Sequence, residues 1–194
     1  MPELLPSLKA GTQQEHQLLE DRLDLFNRVT DLANYRRLLE GFFTLYEPLE
    51  QCLGNVIDWR ALNWDFDGSR KTPWLVEDLI NLGLSQTDID SLPRCPNLPE
   101  IDSASKAVGS LYVLEGSTLG GQLITKRFSS SLGTAPDRGG RFFSGYDEGT
   151  VAHWRAFAAW VQSVEADLHA GEATIAARDT FRSFDLWLNR APFS

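Results

Sequence analysis

Leu111-Tyr112-Val113-Leu114-Glu115-Gly116-Ser117-Thr118-Leu119-Gly120-Gly121-Gln122 sets three glycines within six residues of an otherwise long amphipathic helical pattern. Each interior glycine costs a helix about 1 kcal/mol relative to alanine. A chain that carries such a weakness gains something from bare backbone at that place. One gain is the close approach of a flat or bulky ligand; another is close helix–helix packing. Gly116 and Gly120 stand one turn apart on a shared face. Gly121 widens the bare strip and lets the helix bend.

Outward from this run the pattern is helical nearly throughout. Ser103 can cap the glycine-bearing helix, which reaches Phe128. Upstream, Ser7 is placed to cap a first helix whose inward positions are Leu8, Thr12, Leu19 and Leu23. His16 follows Thr12 by four and precedes Leu19 by three, so it shares their face, and Glu20 at i+4 can accept a hydrogen bond from its ring. A second apolar helix starts at Asp31 and meets Pro48, which should kink or end it. Thr72-Pro73 reads as cap and first residue of another helix that stops at Gly83. The three prolines between Leu92 and Pro99 mark a connector. Gly133–Gly149 reads as a loop, 150–170 as helix, Gly171 as a break, and 172–188 as the last helix. Strand alternation and internal repeats are missing. The expectation is an all-α, single-domain, multi-helical bundle over residues 1–194.

Composition narrows the classes. A hydrophobic fraction of 42% and six tryptophans fit a folded protein. A net charge of −9 argues against nucleic-acid binding, which needs a basic footprint. The longest apolar runs fall well short of the ~20 residues that cross a bilayer, and the first residues lack a secretory pattern; the expected location is cytoplasmic, away from membranes. Cys52 and Cys95 suggest neither a disulfide framework nor a zinc site.

Two stretches together resemble the heme oxygenase family, and most of all its bacterial, bacteriophytochrome-associated branch. Thr12-Gln13-Gln14-Glu15-His16 is similar to the family's proximal segment and Gly116-Ser117-Thr118-Leu119-Gly120-Gly121-Gln122 to its distal one; Thr180–Leu188 is a weaker echo. The resemblance implies a heme oxygenase-like bundle that uses heme as both prosthetic group and substrate. It would cleave a meso carbon with O2 and external electrons to give biliverdin, ferrous iron and carbon monoxide. It implies His16 as the iron ligand, oriented by Glu20. Lys9, two turns earlier on the same face at about 10 Å along the axis, would meet a propionate, with Thr12 and Lys126 as further heme-binding residues; Tyr112 could hydrogen-bond a propionate or, equally, an ordinary protein partner. Gly116, Ser117, Gly120 and Gly121 would form the catalytic distal face. The family aspartate that orders protons there is replaced by Ser117, which positions a water but carries no charge; Ser117 and Thr118 hydroxyls, carbonyls and waters would share that task.

Partners follow from the same resemblance: an electron donor such as a ferredoxin or flavin reductase, since no nucleotide fingerprint or Fe–S cysteine cluster is present, and a bacteriophytochrome that accepts biliverdin. Arg36-Arg37, Lys126-Arg127 and Arg138 with Arg141 are candidate docking cations. Two other functions stay open. One is a heme carrier or sensor without ring chemistry, for which Cys95-Pro96 could serve as a short thiolate motif. The other is a related fold that binds thiamine-like molecules, for which Cys52 has no evident activating base. His153 and His169 read as structural or surface residues.

Overall fold

Residues 4–190, which the computed structural model of the chain describes, are helical with short connections and contain no strand, as expected for an all-α chain. Residues 1–3 and 191–194, the ends of the expected domain, lie outside that description. The helices are α1 (Leu4–Leu23), α2 (Leu25–Arg28), α3 (Leu32–Val56), α4 (Phe66–Ser69), α5 (Thr72–Asn81), α6 (Gln86–Ser91), α7 (Ala104–Leu132), α8 (Arg141–Ser144), α9 (Thr150–Val164) and α10 (Ala170–Leu188).

Helix α10 is the shared support. It packs against α1 on one side and α7 on the other, while α3 packs on α5 and also touches α7 and α10. Small residues set the two crossings on α10. A Cβ at Gly109 of α7 would come within 3.0 Å of the Ala173 carbonyl. One at Gly11 of α1 would strike the Thr174 side chain, and Arg178 donates to the Gly11 carbonyl there. The core between these helices is aromatic. Phe42 and Tyr46 of α3 meet Phe142 and Phe184 at centroid distances of 5.2–6.2 Å.

Several local features differ from the sequence reading. Ser7 is not a cap: α1 already begins at Leu4, whose N–H donates to Glu165 Oε2 at 3.0 Å. Pro48 does not end α3, which continues to Val56. Proline deprives the carbonyl four residues back of its helical donor; here that carbonyl, on Thr44, accepts the Cys95 N–H at 2.9 Å instead. Thr72 is already helical, and the cap of α5 comes from far in sequence. The buried Glu50 carboxylate accepts the Lys71 and Thr72 N–H groups at 2.6 and 3.2 Å and the Thr72 hydroxyl at 2.6 Å. Gly171 lies inside α10, and the break falls at the turn 165–169. Gly133–Gly149 is not a plain loop: it holds a kinked turn at Pro136–Gly140, with non-helical backbone at Arg138 and Gly139, then α8 and a 3-10 turn at Asp147–Gly149. Ser103 caps α7 as expected, accepting from Lys106 N–H at 3.3 Å, and Asp31, expected only as the start of α3, caps it by accepting from Asn34 N–H at 2.8 Å.

Asp78 ties α5 to α8. Its fully buried carboxylate accepts the Arg141 and Phe142 N–H groups at 2.7 and 2.8 Å. Burial pushes its pKa up from 3.8 to about 6, against the lowering pull of those two bonds. The folded state therefore binds a proton between about 6 and 3.8 that the unfolded chain does not, and stability from this group rises as pH falls through that window. Two pKa units correspond to at most about 3 kcal/mol. Chemical denaturation from pH 7 to pH 4 should show the unmodified protein gaining on Asp78→Asn as the solution acidifies; a constant gap would contradict this assignment.

Candidate functional site

A cavity of about 960 Å³ opens between α1 and α7, at the upper end of what small-molecule sites usually span. Lys9, Thr12, His16 and Glu20 of α1 line one wall; Tyr112, Gly116, Ser117, Gly120 and Gly121 of α7 line the other. Nine of the ten residues singled out in the sequence are thus brought together by the fold. Lys126, the tenth, is exposed further along α7 and is not among the lining residues. Its side chain falls on another face, six residues past Gly120.

The proximal wall is open to solvent. The His16 side chain is 55% exposed, and its ring meets Phe181 edge-on at 5.4 Å. Its Nε2 stands 3.6 Å from Glu20 Oε1, beyond hydrogen-bond reach. The expected His16–Glu20 pairing is therefore a near approach between two exposed side chains. Thr12 is buried and its hydroxyl donates to the Leu8 carbonyl at 2.7 Å. Burial holds the Tyr112 phenol above its ordinary pKa, with Thr12 pulling the other way.

On the distal wall the three glycines divide into two kinds. A Cβ at Gly120 would meet nothing within 4 Å, and one at Gly116 only Trp154, at 3.8 Å. Their bareness faces the cavity. Gly121 is different: a Cβ there would come within 3.0 Å of the Phe143 carbonyl. Close packing of α8 on α7 requires it, and α7 stays one continuous helix through it. Gly116 and Gly120 thus border open space, and the packing reading holds for Gly121.

Residues not singled out for the site in the sequence turn out to shape it. Tyr46 of α3 lines the cavity and its hydroxyl lies 2.9 Å from Ser117 Oγ. Phe142, Phe143, Phe181 and Phe184 close the back and Trp154 covers one side. A tyrosine among the apolar positions of α3 was the available signal for Tyr46. Behind the wall, Glu115 is wholly buried and paired with Lys71, itself 1% exposed. His153 Nε2 lies 2.9 Å from the other carboxylate oxygen, and the Tyr146 hydroxyl donates to that oxygen at 3.3 Å. Burial raises the Glu115 pKa, but His153 and Lys71 together outweigh it and hold the carboxyl below its ordinary value. His153 is structural, as expected. Cys95 is buried away from the cavity, its thiol pointing at the Asn97 carbonyl, and Cys52 does not line it either.

Three substitutions separate these roles. Gly120→Ala should raise the stability of the protein by up to about 1 kcal/mol through helix propensity. Gly121→Ala should lower it by about 1–3 kcal/mol through overpacking. Glu115→Ala, which strands the Lys71 ammonium, should cost about 3–5 kcal/mol. Urea unfolding read by circular dichroism checks all three; equal effects at positions 120 and 121 would contradict the division drawn here.

The sequence model of the family described as "Heme oxygenase" matches residues 3–190. No curated protein matches the chain significantly in sequence. Among solved structures, the NO- and CO-bound heme oxygenase of Neisseria meningitidis superposes with a TM-score of 0.75 at 23% identity, covering 97% of this chain and 91% of its own. The heme oxygenase of Leptospira interrogans gives 0.74 at 18%, covering 96% and 98%. Heme oxygenase-1 of the cyanobacterium Synechocystis sp. PCC6803, solved in complex with heme, gives 0.71 at 18%, covering 96% and 91%.

Proposed function

The chain belongs to the heme oxygenase family, and from that premise we propose that it binds heme between α1 and α7 and cleaves it to biliverdin, ferrous iron and carbon monoxide. One observation carries the reading: a large cavity has an imidazole, His16, on one wall and side-chain-free backbone, Gly116 and Gly120, on the other. A planar macrocycle between them would have one face toward His16, the other toward bare helix, and an edge toward the aromatic back wall.

Bound there, heme would supply the O2-activating iron and also the ring that is consumed. His16 would hold the iron, and the exposed ring can turn to present either nitrogen. Gly116 and Gly120 leave room above the ring where any side chain would crowd a small guest. Lys9 is the cationic end of the α1 wall, while Glu20 and Asp24 make its other end anionic. Lys9 and Glu20 are eleven residues apart, about 16 Å along the axis. That gradient would turn the heme carboxylates toward Lys9, with Thr12 and Tyr112 also lining the cavity. Lys126 is too far along α7 to share that role without movement of its side chain across the helix.

Electrons would come from a separate donor such as a ferredoxin or flavin reductase, and the bilin would pass to a bacteriophytochrome. These two partners rest on the resemblance of Gly116–Gln122 to that branch. The whole of residues 1–194 is read as the one heme oxygenase domain, working in the cytoplasm. No helix among the described residues is long and apolar enough to cross a membrane.

The test is anaerobic loading with hemin followed by O2 and a reductant. The Soret band should fall and the long-wavelength band of biliverdin should rise. His16→Ala should bind hemin with an altered Soret spectrum and lose most of that conversion. An unaltered Soret band in the unmodified protein would overturn the proposal.

A further inference from the structure

The geometry points to a two-hydroxyl device on the distal wall: Tyr46 donates to Ser117, which leaves the single Ser117 proton to serve an oxygen atom of a guest in the cavity. The inference rests on the cavity being a heme site and concerns what stands where the resembled family has an aspartate.

The direction of the hydrogen bonds follows from counting protons. A serine hydroxyl has one proton and two acceptor lone pairs. Ser117 Oγ lies 2.8 Å from the Leu114 carbonyl, which can only accept, so the serine proton points there. Tyr46 Oη lies 2.9 Å from the same Oγ. With the serine proton already committed, the phenol must be the donor in that pair. Tyr46 therefore pins one lone pair of Ser117 from behind and cannot take its proton.

A rotation about the Cβ–Oγ bond redirects the Ser117 proton from Leu114 into the cavity, which Ser117 lines. The Leu114 carbonyl keeps its main-chain partner in the continuous α7, so the exchange leaves no buried group unpaired. Tyr46 keeps its own proton throughout, and no net charge is created. Thr118 is placed less well: it is buried and gives its proton to the Glu115 carbonyl at 2.7 Å.

Two features keep Tyr46 a donor. It is completely buried. Burial first, then the Glu50 and Glu115 carboxylates, raise its phenol well above the ordinary range, while the bond to Ser117 pulls the other way. A carboxylate at position 117 would attract a proton; the serine backed by a permanent donor instead presents one. Tyr46 is thus a positioning residue that acts through Ser117.

Carbon monoxide on the ferrous heme complex is the probe, because a hydrogen bond to its oxygen lowers the C–O stretching frequency. Tyr46→Phe and Ser117→Ala should each raise that frequency, and the double variant should go no higher than Ser117→Ala alone, since the two act as one unit. Ser117→Thr should stay at the unmodified value. A frequency unmoved by Tyr46→Phe, or additive shifts in the double variant, would overturn the inference. Should Tyr46→Phe take up no hemin, uniform 3-fluorotyrosine, a stronger donor, should lower the frequency in the unmodified background and not in Ser117→Ala; identical responses in both backgrounds would overturn it. Hemin bound but never cleaved defeats the proposed function and leaves this measurement readable. Ring cleavage with an unmoved stretch defeats only the device.

Discussion

The carboxylate of Glu115 sits wholly buried between Lys71 and His153 and directly precedes the first bare residue of the distal wall. Two charges buried this deeply recover their desolvation cost only with close geometry and further hydrogen bonds. Both conditions are met. Lys71 also donates to the Ser69 carbonyl at 2.5 Å, and Tyr146 stacks on His153 with centroids 3.6 Å apart while donating to the carboxylate. Glu50 completes the arrangement by capping the turn that carries Lys71. A helix side chain locked from three directions fixes the rotation of α7 about its axis. That rotation decides whether Gly116 and Gly120 face the cavity or the core.

Position along the axis is fixed by different means. Gly109 lets α7 touch the α10 backbone and Gly121 lets it touch the α8 backbone, one on each side of the Glu115 pair. Backbone-to-backbone contact tolerates little sliding, because any added side chain would have to pass through a carbonyl. The central bare stretch is thus held at both ends and in the middle. It can afford two glycines that make no packing contribution and each cost the helix about 1 kcal/mol.

Much of this was legible in the sequence because it is local. The all-α class, the helix start near Asp31 and the cap at Ser103 follow from helical spacing and short motifs, and the gathering of His16 with Gly116 and Ser117 is what the family resemblance implied. What was illegible is what joins distant segments. Nothing near Thr72 announces that its cap comes from Glu50. Nothing near Pro48 shows that Cys95 takes over the orphaned Thr44 carbonyl, which is what lets α3 run on. Gly121 looked like its neighbours 116 and 120 because the Phe143 carbonyl that demands it belongs to a segment that reads as a loop. Tyr46 was hidden for the opposite reason: its spacing is that of a core residue, which it is, and only the tertiary contact with Ser117 gives its hydroxyl a task. Lys126 looked usable from its helix alone, and the helix turns it outward.

The rim of the cavity bears on where binding energy comes from. Phe26, Leu119 and Leu123 line it while 40%, 38% and 65% exposed. Large apolar side chains left in water at the mouth of a pocket are surface that a guest can cover, at about 25 cal/mol per Å² removed from water. Lys9, by contrast, is exposed, and a surface ion pair contributes about 0–1 kcal/mol. Glu20 and Asp24 on the same wall oppose an anionic guest. In a protein of net charge −9, affinity for a flat molecule with an apolar body and a carboxylate edge must therefore come mainly from the apolar body. The charges on α1 are left to choose which way round it lies.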